Sequence, residues 1–87
     1  MAASKRDIVG WFDRGVEENA TYMIVVCDTF DWEDYPVYVG KDEEFYSIHD
    51  KYTNGQNMQR VMEVYDLKAD KNTQLDSRRV FNLPPRK

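Results

Sequence analysis

The segment Tyr22-Met23-Ile24-Val25-Val26-Cys27 is continuously apolar and rich in β-branched residues, a pattern that predicts a strand. A strand without polar alternation has no side to offer to water, so it must be covered on both faces or lie at the centre of its sheet. A central position is expected here. Upstream, Ile8, Trp11, Phe12, Gly15 and Val16 recur at helical spacing, with Lys5, Arg6, Asp13, Arg14, Glu17 and Glu18 between them. This predicts an amphipathic helix starting near Lys5, capped by Ser4, with Asp7 complementing its dipole. Asn19 tolerates the left-handed conformation that ends helices, so Asn19-Ala20 is the expected exit.

Downstream, Tyr35, Val37 and Val39 alternate with Pro36, Tyr38 and Gly40, which predicts a half-buried second strand whose proline belongs on a sheet edge. The two strands should form a hairpin. Their connection, Asp28 to Asp34, has no glycine and is too long for a two-residue turn, so a wide loop or a bulge is expected. Phe45, Ile48, His49 and Tyr52 then follow a helical period over Asp42 to Tyr52, with acids at its start. Thr53-Asn54-Gly55 is a turn signal.

Met58 to Leu67 fits two periods, since Met58, Val61, Met62 and Tyr65 have helical spacing while the composition suits a strand. A strand is favoured because the sheet needs a third member. Tyr65, Val61 and Glu63 would then share one face, and Met62, Val64 and Asp66 the other. Asp70 can cap a short helix over Lys71 to Arg78 anchored by Leu75, after which Val80 and Phe81 pack back and Pro84-Pro85-Arg86-Lys87 forms an exposed tail. The expected fold is α+β, in the order α-β-β-α-β-α. Residues 1–83 form one domain, and a three-stranded, mainly antiparallel sheet centred on residues 22–28 carries its helices on one face. A sheet with an open face and edge invites a second copy, so a homodimer is expected.

A chain of 87 residues holds one core, and rings at 14% of the sequence must supply much of its buried area. The net charge of −4 argues against general binding to a phosphate backbone, so nucleic acid is not an expected partner. Acids crowd Asp28 to Glu44, whereas Arg60, Arg78, Arg79, Arg86 and Lys87 lie in the second half. Cys27 is the single cysteine, so it closes no intrachain disulfide and suits a reduced compartment such as the cytoplasm. Met1 to Asp7 lacks the apolar core of a signal peptide, and no run is long enough to cross a bilayer.

Four carboxylates, Asp28, Asp31, Glu33 and Asp34, stand among Phe30, Trp32 and Tyr35. Their spacing does not match a calcium loop, and no metal or cofactor is assigned to them. Clustered carboxylates also suit general acid and base chemistry of a hydrolase type, with His49 as a candidate proton carrier, if burial were to separate their pKa values. Cys27 is a poor nucleophile beside Asp28. Glycine-rich phosphate loops and paired-cysteine zinc motifs are absent from the sequence. Arg60, Arg78 and Arg79 are the candidates for an anionic ligand such as a nucleotide, in a site between protomers.

The stretch from Ala20 to Asp31, the segment Glu33-Asp34-Tyr35-Pro36-Val37-Tyr38-Val39 and the segment Asn57-Met58-Gln59-Arg60-Val61-Met62-Glu63-Val64-Tyr65 resemble a small family of uncharacterised phage and bacterial proteins. The resemblance implies a phage or prophage accessory protein and transfers no activity. From the composition of the hairpin loop, the expected function is non-enzymatic binding of a protein partner through that loop. Phe30, Trp32 and Tyr35 would be its anchors, with Asp31, Glu33 and Asp34 setting charge complementarity.

Overall fold

The computed structural model describes residues 5–53, 58–76 and 80–84. The elements are α1 (Lys5–Glu17), β1 (Tyr22–Asp28), β2 (Glu33–Val39), α2 (Phe45–Thr53), β3 (Gln59–Asp66) and α3 (Lys71–Asp76), an α+β fold in the expected order. The three strands form one antiparallel sheet ordered β2-β1-β3, with β1 at its centre. Local signals set several boundaries. Asn19 has φ 61°, and the N–H groups of Asn19 and Ala20 donate to the carbonyls of Val16 (3.1 Å) and Gly15 (3.0 Å), closing α1 with a Schellman motif. Asp70 Oδ2 accepts from the Thr73 N–H at 2.9 Å and from its hydroxyl, capping α3. The Ser4 cap and the Pro85-Arg86-Lys87 part of the tail lie outside the described residues.

The helices are divided between the two faces of the sheet, which corrects the expectation that they share one. Met23 and Val25 pack with Phe12 of α1, Leu75 of α3, Tyr65, Leu67 and Val80 on one face. Ile24 and Val26 pack with Phe45 of α2, Val39 and Val64 on the other. This division explains the unbroken apolar run of β1, because each alternate side chain meets a helix. It also removes the open face from which a homodimer was argued.

A bulge lies in β3. Val25 pairs with Glu63, but Val26 pairs with Val61, so Met62 is the extra residue. Parity therefore switches: Val61 and Val64 both face α2, whereas Met62 and Tyr65 both face α1. The grouping of Tyr65 with Val61 is thus corrected. The three-residue spacing across the bulge is what made this strand resemble a helix in sequence.

Both edges of the sheet are guarded. Val64 donates its N–H to the Val80 carbonyl (2.7 Å) and accepts from the Asn82 N–H (3.0 Å), so residues 80–82 cover the outer side of β3 at this position. One residue pair further on, the side chain of Gln74 substitutes for a strand. Its Oε1 accepts from the Asp66 N–H (2.8 Å) and its Nε2 donates to the Asp66 carbonyl (2.9 Å). Buried Gln74 also donates to the Asp70 carbonyl (3.1 Å) and accepts from Asn82 Nδ2 (2.6 Å), leaving neither amide atom unpaired. On the other edge, β2 carries Pro36, which has no N–H to offer an incoming strand.

Two glycines in α1 make a paired test of the packing. A Cβ at Gly15 would lie 2.7 Å from Leu67 Cδ1 and 2.8 Å from Tyr38 Cε1, whereas one at Gly10 would meet nothing within 4 Å. Gly15→Ala is expected to destabilise the fold by about 1–3 kcal/mol through overpacking, and Gly10→Ala to stabilise it by about 0.5–1 kcal/mol through helix propensity. Urea unfolding reads both; equal shifts at the two positions would refute the close approach of α1 to Tyr38 and Leu67.

Burial also links the fold to pH. It is the leading cause that raises the pKa of Cys27, Tyr22, Tyr35, Tyr38 and Tyr65 above their ordinary values. Unfolded thiols titrate near ~8.5 and phenols near ~10, so with rising pH the unfolded chain loses these protons before the folded one does. The stabilisation is complete below about pH 8 and is lost progressively above it, through the raised pKa values of the folded state. Urea midpoints measured between about pH 7 and 11 should fall in the alkaline half, and a flat profile would contradict the burial of these groups.

Candidate functional site

The hairpin connection is a four-residue loop, Thr29 to Trp32, shorter than the expected Asp28 to Asp34 because β1 and β2 extend to pair Asp28 with Glu33. Asp28 organises it twice: Oδ1 accepts from the Phe30 N–H at 2.9 Å, and the backbone carbonyl accepts from the Trp32 N–H at 2.6 Å. Across the sheet, the Thr29 N–H (2.7 Å) and hydroxyl (2.6 Å) both donate to the Met58 carbonyl, which ties the residue before β3 to the loop. One pole of the molecule therefore presents Phe30 at 71%, Trp32 at 62% and Met58 at 53% exposure.

Two of these residues are held at a cost. Trp32 and Met58 both have φ 57°, in the left-handed region that glycine and asparagine occupy readily and large side chains do not. Each position disfavours an ordinary L-residue by about 1–2 kcal/mol. Burial cannot offset this, since more than half of each side chain faces solvent. Core packing therefore does not account for a large apolar side chain at either position.

The other candidate residues divide. Asp31 and Glu33 are exposed, and their carboxylates make no hydrogen bond or ion pair among the described residues. Asp34 is half-buried and hydrogen-bonds the Cys27 thiol, whose pKa is raised first by burial and then by Asp34. Cys27 is 5% exposed and its thiol is held protonated, so it acts as packing rather than as an activated nucleophile. Tyr35 is no free anchor: its ring joins the cluster beneath α2, and its hydroxyl accepts from Gln59 Nε2. Arg60 is exposed and sits opposite Cys27, while Arg78 and Arg79 lie outside the described residues, so no shared anion site is seen for the three.

His49 is not brought to the loop carboxylates. Its ring stacks on Phe45 (5.4 Å) with Nδ1 3.1 Å from Asp50 Oδ1, and Phe45 in turn meets Tyr22 (5.0 Å) at the start of β1. Asp28 and Asp34 lie at the other end of that strand, and Asp31 in the loop beyond it. The convergence that hydrolase chemistry requires is missing from this arrangement. Among the described residues, no group of three or more His, Cys, Asp or Glu side chains can hold a metal ion, and no helix is long and apolar enough to cross a membrane. Sequence reasoning missed Met58, whose only signal was its place just after the Thr53-Asn54-Gly55 turn. No protein-family model, curated protein or solved structure matches the chain.

If the tip side chains are dispensable to the fold, glycine should be tolerated at both strained positions. Trp32→Gly and Met58→Gly are each expected to raise stability by about 0.5–1 kcal/mol, the relief of strain exceeding the added chain entropy. Urea unfolding measures this, and a loss of stability at both positions would assign these side chains to the core instead.

Proposed function

We propose that the chain is a non-enzymatic binding domain, of the phage or prophage accessory type, that contacts a protein partner through its hairpin pole. The observation that carries this reading is the strained, outward presentation of Trp32 and Met58 beside exposed Phe30. Contiguous exposed apolar groups on a small protein mark interaction surfaces, and aromatic side chains with few rotatable bonds bind at low entropic cost. Asp31 and Glu33 alternate with the rings and make no ion pair in the described residues, so they are available to a basic rim on the partner. Asp34 and Tyr35 support the tip from behind. The reduced, buried thiol of Cys27 suits the cytoplasm as the place of action. Among the described residues, the anionic-ligand reading draws on Arg60 alone, and the hydrolase reading finds no acid and base converging with His49.

Affinity capture from host lysate with wild-type chain and with Phe30→Ala/Trp32→Ala tests the proposal. The expected outcome is a stoichiometric partner retained by the wild type and lost with the double variant, while the far-ultraviolet circular dichroism spectrum and urea midpoint of the variant stay unchanged. Equal recovery of the same partner by both proteins would sink it.

A further inference from the structure

At the pole opposite the hairpin tip, a depression of ≈ 440 Å³ opens between the end of α1 and the residue pair that follows β3. Its apolar lining is Val16, Ala20 and Leu67, and Val16 is 49% exposed. Its only charged lining residues are Lys41 and Lys68, and neither ammonium makes an ion pair or hydrogen bond among the described residues. A larger neighbouring depression shares these two lysines and contains Asp42, Glu43, Glu44 and Asp66. Three of those acids are engaged with backbone N–H groups: Glu43 with Gly40 (2.7 Å), Glu44 with Tyr46 (3.3 Å) and Asp66 with Lys68 (2.9 Å).

We propose that the hairpin tip of one copy of this chain seats in the lysine-flanked depression of another. The two surfaces are complementary in both kinds of group. The tip offers exposed rings of Phe30 and Trp32 flanked by the unpaired carboxylates of Asp31 and Glu33. The depression offers an apolar floor flanked by two unpaired ammonium groups, with the acids confined to the adjoining groove, so an incoming carboxylate is steered to the lysine side. Tip and depression lie beyond opposite ends of β1, a strand of about 20 Å at ~3.3 Å per residue, so a copy cannot fill its own depression. The contact is heterologous, made by two different patches, unlike the face-to-face pairing that an open sheet would invite. A contact made by a single hairpin tip belongs with the small, weak and transient class of interfaces, so association is sought at about 10–1,000 µM.

The proposal rests on the tip being a docking element, yet it fails separately, because it needs only the purified full chain. Sedimentation equilibrium from about 10 µM to 1 mM should show the average mass rising with concentration, and falling back in about 0.5 M NaCl as the charge pairs are screened. Phe30→Ala/Trp32→Ala and Lys41→Glu/Lys68→Glu should each remain monomeric alone. Their equimolar mixture retains one intact tip and one intact depression, and should form a heterodimer of wild-type strength. That complementation also shows both variants to be folded. A wild-type chain that stays monomeric throughout, or a mixture that does not associate, overturns self-recognition and leaves recognition of a different protein to the capture experiment.

Discussion

The structure depends on the enclosure of β1 from four directions. Met23, Ile24, Val25 and Val26 are at most 1% exposed, with α1 and α3 on one face, α2 on the other, and a strand hydrogen-bonded along each side. Each such side chain contributes about 1.5–3 kcal/mol relative to its exposed state, and a small domain has few other places to recover the entropy lost on folding. The rest of the chain is arranged to complete this enclosure. It also gives the molecule a stiff axis whose two ends carry the chemically distinctive surfaces, the aromatic tip after Asp28 and the lysine-flanked depression before Tyr22.

With both faces covered, the outer edges of β2 and β3 become the places where backbone groups can meet another chain. The protein treats them differently. On β2, Pro36 removes a donor, so a passing strand finds an interrupted ladder. On β3, the outward donors and acceptors of Val64 and Asp66 are used internally, by Val80 and Asn82 at the first and by the amide of Gln74 at the second. Association through side chains at the poles is therefore the mode this architecture leaves open, in keeping with the exposed rings at one end.

What could be read from sequence was what depends on nearby residues. The Asn19 exit, the Asp70 cap and the central position of β1 all follow from local conformational preference or from an apolar run, and all are present. What could not be read depends on partners distant in sequence. A helical period shows that α2 has an apolar side, but not which face of the sheet receives it. Asp42 to Glu44 resemble a first helical turn, yet Glu43 turns back to Gly40 and α2 begins at Phe45. The alternation of β3 hides a bulge that is defined only by its register with β1. At the tip, composition was enough to single out Phe30 and Trp32, while Tyr35 proved to belong to the wall beneath α2 and Met58 was recruited by a bond from Thr29.

The sealing of β3 by Gln74 and by residues 80–82 has a temporal side. The strand is complete at Asp66, but its seal lies eight and more residues further along the chain. During folding, the three strands can pair before the segments that close the outer edge have docked. Until they dock, the sheet carries an open strand, the kind of surface through which partly folded chains aggregate. Gln74 and residues 80–82 thus act as a late-arriving guard of β3, while Leu75 and Val80 beside them complete the core, so edge protection and core packing arrive together.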